Sequence, residues 1–239
     1  MPAVPFNILG RVFQIRYDGA TGTIFTIERG GRQYLVTAQH VVEGFPEAGK
    51  VQLFHKDEWK NLEVKLVGHG GEADVSVFAA DMILTHPELL AAPTTEGMLL
   101  GGEMFFLGFP FGWKGECSDH LNNFPIPFVK SATLSMFGGD RKYIYLDGIN
   151  NEGFSGGPVG FQVPSKQEWR IVGIVSGYHA NPHFIQLNDE DTALEYYSNS
   201  GLIYVVPINF ALDLIDANPI GCPIPETDEA VLSKQTAVR

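Results

Sequence analysis

Apolar residues in this chain come in short runs rich in β-branched and aromatic side chains, each cut off within about ten residues by Gly, Asn, Asp or Pro. That rhythm is the mark of strands rather than helices. It predicts strands near Gly10–Tyr17, Thr21–Arg29, Arg32–Thr37, Lys50–Phe54, Glu63–Gly68, Val75–Ala79, Glu103–Gly108, Phe128–Met136, Tyr143–Leu146, Gly157–Val163, Arg170–Tyr178 and Gly201–Pro207. Helical signals are few. Asn209–Ala217 reads as one short helix, with Asn209 as its cap, apolar Phe210, Leu212, Leu214 and Ile215, and Pro219 beyond it. A further turn is expected at Ala38–Gly44. Gly112–Pro127 and His179–Ser200 read as long loops, and the chain loses its apolar rhythm from Pro223 onward.

About a dozen strands and one terminal helix make this an all-β chain. Its 239 residues, 44% of them hydrophobic, can bury an ample core, and all-β units commonly reach about 200–250 residues. With 28 Asp and Glu against 16 Lys and Arg, the formal charge is −12, and no basic stripe offsets it, which argues against a nucleic-acid partner. Cys117 and Cys222 have neither disulfide-framework nor metal-ligand spacing and read as free thiols. The longest strongly apolar, uncharged stretch, Met104–Trp113, falls far short of the roughly 20 residues that cross a bilayer. The opening residues lack the features of a secretory signal. A soluble, cytoplasmic protein without membrane partners is therefore expected.

The candidate chemistry sits in three segments. Gly153-Phe154-Ser155-Gly156-Gly157-Pro158 sets a serine among glycines, which let a backbone adopt positive φ and aim two N–H groups at one point. A plain hairpin loop is the competing reading of such a run. Tyr34–His40 runs a strand straight into a histidine, which suits a general base at the rim of a sheet, although a lone histidine is more often a satisfied, half-buried side chain. Ala73-Asp74-Val75-Ser76-Val77-Phe78 opens an apolar strand with an acid able to hold an imidazole in one tautomer, or merely to cap a turn. His179 and His183 are four apart, but Pro182 between them defeats a helical metal pair; no metal and no cofactor is required.

Taken together, the order His, Asp, Ser, the TAxH segment ending at His40, the Asp-Val-Ser-Val strand start and the GxSGGP segment resemble the trypsin/chymotrypsin-like serine peptidases. Leu146–Asn150, Leu202–Pro207 and Phe105–Pro110 resemble the bacterial HtrA/DegP-type branch, without a PDZ module. The resemblance implies two packed antiparallel six-stranded β-barrels of chymotrypsin-like fold with a short C-terminal helix. Residues 1–90 would form the barrel carrying His40 and Asp74, 91–222 the barrel carrying Ser155 and the terminal helix, and 223–239 a flexible tail.

By the same resemblance Ser155 is the nucleophile, His40 the general base, Asp74 its orienting acid, and the N–H groups of Gly153 and Ser155 the oxyanion hole. Ile171–Tyr178 would receive an extended peptide, with Ser176, Gly177 and Tyr178 in contact with it. Gly177-Tyr178 departs from the family's usual Trp-Gly, and Ile149, six residues before Ser155, stands where Lys/Arg-specific members carry an acid. A small or apolar residue before the cut bond is the expectation. No activation sequence of the Arg-Ile-Val-Gly-Gly type occurs near the start. Two readings follow: an endopeptidase acting on peptides or proteins through an acyl-enzyme, and a catalytically silent module that binds extended peptides or a protein partner.

Overall fold

The computed structural model describes residues 3–86, 89, 91–115, 124–139, 141–164, 166, 168–187 and 190–225. Cys117 and the chain beyond residue 225 lie outside them. After a single helical turn, α1 (Phe6–Leu9), come β1 (Val12–Tyr17), β2 (Ala20–Arg29), β3 (Arg32–Thr37), β4 (Ala48–His55), β5 (Glu58–His69) and β6 (Ser76–Ala80). A two-residue β7 (Ala92–Pro93) leads to β8 (Glu103–Gly108), β9 (Phe128–Phe137), β10 (Ile144–Asp147), β11 (Pro158–Gln162), β12 (Trp169–Leu187) and β13 (Glu190–Pro207). Helix α2 (Asn209–Ala217) and β14 (Cys222–Pro223) complete the order.

The first six strands pair in the order β3-β2-β1-β4-β5-β6, and a β3–β6 pairing closes the ring. Strands β8 to β13 repeat that order as β10-β9-β8-β11-β12-β13, closed by β10–β13. The result is two closed six-stranded antiparallel barrels, the chymotrypsin-like arrangement. Closure removes the free edges that an open sheet of this size would expose. Alternation along the strands fills each barrel: Ile15, Ile24, Leu35, Val51, Leu62 and Phe78 in the first, and Phe106, Leu134, Leu146, Val159, Val175 and Val205 in the second. A third cluster, with Phe25, Val36, Phe105, Leu107, Ile174 and Val206, cements one barrel to the other.

The C-terminal elements strap the two halves together. Helix α2 leaves the second barrel but packs on the first: Leu214 lies over Gly68, where an added Cβ would meet its Cδ2 at 2.9 Å, and Asn218 Nδ2 donates to Val67 O at 3.0 Å. Strand β14 then pairs with β3. A buried ion pair also braces the first barrel, where Arg11, fully buried, meets Glu28 at 3.2 Å and donates to Thr26 O.

Two local expectations are corrected. Asn209 is the first residue inside α2 rather than its cap; Ile208 holds the cap position without a side-chain bond, since the chain enters the helix directly from β13, with Ile208 N bonded to Val172 O. Within the expected loop His179–Ser200, residues 179–187 and 190–200 are strand. There β12 and β13 run on past the barrel as a two-stranded arm, pairing Ala180 with Asn199, Pro182 with Tyr197 and Leu187 with Glu190. Pairing with the adjacent strand overrides the turn-forming composition of His179–His183.

Candidate active site

His40 lies on a 3₁₀ turn, Gln39–Val42, that follows β3 directly and is anchored by buried Val41 and Val42. Asp74 sits in the tight connection between β5 and β6, where Gly70 N bonds to Val75 O and a Cβ on Gly70 would come within 2.5 Å of Ala73 O. This geometry aims the carboxylate at the histidine. His40 N donates to Asp74 Oδ1 at 3.0 Å, and His40 Nδ1 lies 2.7 Å from Asp74 Oδ2. Ser176, on β12 of the other barrel, donates its hydroxyl to Asp74 Oδ2 at 2.6 Å.

These contacts set the protonation states. The hydrogen bond to Asp74 raises the His40 pKa above its ordinary value, against the opposing effect of burial. Burial pushes the Asp74 carboxyl up, but hydrogen bonds from His40 and Ser176 outweigh it and leave the pKa lowered, so the group stays ionised. An ionised acid on Nδ1 holds that proton in place and leaves Nε2 with a lone pair, the tautomer a general base requires.

Ser155 lies in the connection from β10 to β11, and the first barrel shapes this loop. Thr23 N, on β2, donates to Ser155 O at 2.8 Å. The Thr23 hydroxyl donates to Gly153 O at 2.7 Å and accepts from Phe109 N at 3.3 Å, while Thr23 O accepts from Thr37 Oγ1 at 2.7 Å. Glycine is required at both flanks: Gly153 has φ +98° and its Cβ would meet Phe109 O at 2.3 Å, and Gly156 has φ +83° with Thr23 O at 2.1 Å. Phe154, fully buried, packs edge-on against Phe106 at 4.9 Å. Lys130 Nζ bonds to Ile149 O and, at 2.9 Å, to Asn151 Oδ1.

The loop therefore presents two N–H groups, those of Gly153 and Ser155, to which no acceptor is bonded among the described residues. The Ser155 hydroxyl donates to Ser176 O at 3.4 Å, and no hydrogen bond from it reaches His40. Ser176 thus touches both halves of the constellation, its side chain on Asp74 and its carbonyl beside Ser155. Of the expected peptide contacts, Tyr178 is exposed and Gly177 has open space around its α-carbon. Ile149 is half exposed rather than enclosed. Thr23 and Lys130 were not among the expected site residues, since neither lies in a motif.

The model of the trypsin-like peptidase domain matches residues 20–174, from β2 through all three candidate segments into β12. The chain belongs to the trypsin-like peptidase family. Its fold is shared with solved proteases. One, an HtrA-type protease solved with a tripeptide, is 18% identical with a TM-score of 0.58, over 88% of this peptidase chain and 60% of its own. Another, the serine endoprotease from Yersinia pestis, is 14% identical with a TM-score of 0.57, over 91% of this chain and 67% of its own. The chain thus spans about three-fifths of the length of the first of these structures. No curated protein matches the peptidase sequence.

Proposed function

We propose that the protein is a serine endopeptidase in which Ser155 is the nucleophile, His40 the general base and acid, and Asp74 the group that orients His40. Rotation about the Ser155 Cα–Cβ bond moves its hydroxyl from Ser176 O to His40 Nε2. As Oγ bonds to the peptide carbonyl carbon, its proton passes to Nε2, and the carbonyl oxygen takes up negative charge between the N–H groups of Gly153 and Ser155. Each such donor contributes about 2.7–4 kcal/mol in comparable sites. Collapse of this intermediate breaks the C–N bond, and the proton on Nε2 goes to the departing amine. A water then attacks the acyl-enzyme, giving its proton to Nε2, and the second collapse frees the acid and restores the Ser155 hydroxyl. Asp74 remains a carboxylate throughout.

The observation that carries this reading is the conjunction of an ionised Asp74 on His40 Nδ1 with two uncommitted N–H groups flanking Phe154. A silent binding module has no chemical need for either. At the position six before Ser155, the uncharged Ile149 supports a small or apolar residue before the scissile bond, and peptides or proteins as substrates. Cleavage of a diverse peptide library, with Ser155→Ala as the blank, tests both parts. Cuts after small or apolar residues that vanish in the blank are expected. No Ser155-dependent cut would overturn the catalytic reading, and cuts after basic residues would overturn the assigned preference.

A further inference from the structure

Strand β12 is 19 residues long, yet its partner on one side, β11, reaches only to Ile174. From Ser176 to Pro182 the strand pairs with β13 alone, so among the described residues this stretch of its other edge carries no strand partner. That edge begins at the proposed catalytic centre, because Ser176 O is the group that accepts from the Ser155 hydroxyl. Residues Tyr178–Pro182 are all exposed along it. A long unpaired edge is a template for an added strand, and proteins commonly blunt such edges. Here the stretch 176–182 is interrupted only by register irregularities in its pairing with β13, at Val175/Gly177 and Tyr178/Ala180, and by Pro182, which lacks an N–H to offer.

We infer that the arm extends the peptide-binding edge, so that the enzyme holds its substrate as an added antiparallel strand well beyond the three residues before the scissile bond, out to about the sixth. This rests on the proposed catalytic reading, which fixes the residue before the cut bond beside Ser176. Backbone groups facing one edge recur every second residue. Positions 176, 178 and 180 then face the peptide's first, third and fifth residues upstream of the cut, and Pro182 ends the ladder.

The test is binding, which needs no turnover. Fluorescent peptides ending at the residue before the cut, of three, six and nine residues, are titrated into Ser155→Ala protein by anisotropy. A backbone hydrogen bond is worth about 2- to 10-fold in affinity, so the six-residue peptide should bind about 10-fold tighter than the three-residue one. The nine-residue peptide should gain nothing further, because Pro182 ends the ladder. Two further variants remove the length effect while leaving three-residue binding unchanged. In one, residues 181–198 are replaced by Asn-Gly, a two-residue hairpin turn between the paired Ala180 and Asn199. In the other, Ala180→Pro deletes a single donor from the free edge.

Equal affinity for three and six residues, or a length effect that survives both variants, overturns the inference. A fall in particle mass on shortening the arm, with no length effect in the full chain, assigns the arm instead to contacts between copies and also overturns it. Because these arms use Ser155→Ala, a failure of hydrolysis in wild-type protein would be seen separately and leaves this result readable.

Discussion

Replacing Thr23 by Val removes one hydroxyl that donates to Gly153 O and accepts from Phe109 N, at nearly constant shape. Thr23 is fully buried and Gly153 and Phe109 are buried too, so water cannot take over these bonds without the loop moving. An orphaned buried group costs roughly 1–3 kcal/mol, and partial relaxation of the loop places the combined loss near 2 kcal/mol. For a domain of this size that lowers Tm by about 4–8 °C.

The larger effect is expected on chemistry. Gly153 O fixes one face of the peptide group next to the proposed oxyanion hole, and freeing it lets that segment turn its N–H away. A shift of about 2 kcal/mol toward the turned form lowers the ratio of working to turned loops by roughly 30-fold. Expected, then, is a kcat lower by about 10- to 100-fold with KM little changed, because the donors act on charge that develops only in the transition state. Thr23→Ser keeps the hydroxyl and should recover most of kcat. Steady-state kinetics on one peptide, beside thermal melts of all three proteins, make the comparison. Thr23→Val with the expected melting shift and an unchanged kcat would refute the claim that Thr23 holds the loop in its working form.

Further outcomes follow from the same contacts. Hydrolysis needs neutral His40, whose pKa is raised by Asp74, so kcat/KM should rise with pH through a midpoint above 6.5. Asp74→Asn should move that midpoint down and cut kcat by about 10⁴, as in the serine-protease template; an unmoved midpoint would dissociate Asp74 from His40. For stability, His40's raised pKa gives a contribution that is complete below about 6.5 and lost as pH rises through the folded value. The lowered pKa of Asp74 gives the opposite, a contribution present above about 3.8 and lost as pH falls through its folded value. Arg11→Ala strands the largely buried Glu28 and should cost about 3–5 kcal/mol in urea unfolding, whereas a loss under 1 kcal/mol would show that Glu28 regains water. Gly156→Ala drives a Cβ to within 2.1 Å of Thr23 O at positive φ, so it should abolish turnover, and a fully active variant would contradict the loop geometry.

Much of this was legible in the residues. Twelve principal strands lie close to their expected positions, because short apolar runs rich in β-branched or aromatic residues and flanked by Gly suit strands best, as at Arg32–Thr37 and Glu103–Gly108. The histidine, acid and serine segments stood out through a resemblance rather than through spacing alone. What could not be read came from long-range pairing. Nothing local marks Thr23 as the residue that grips a loop 130 positions away, and nothing in Leu214 announces that α2 packs on the first barrel. The arm was hidden for the opposite reason, since His179–His183 carries the Asn and Pro of a turn while pairing as a strand. The two barrels share one ring order, yet the chain has no sequence repeat to betray it, because Greek-key closure constrains burial alternation and not identity.

The central claim, that Ser155 becomes a nucleophile by giving its proton to His40, is tested most directly by intact-mass analysis after treatment with a fluorophosphonate. The serine oxygen displaces fluoride from phosphorus only when a base removes its proton. A single adduct on Ser155 in wild-type protein, lost in both Ser155→Ala and His40→Ala, is the predicted result. Folded wild-type protein that stays unmodified across the pH range above the His40 midpoint would contradict it.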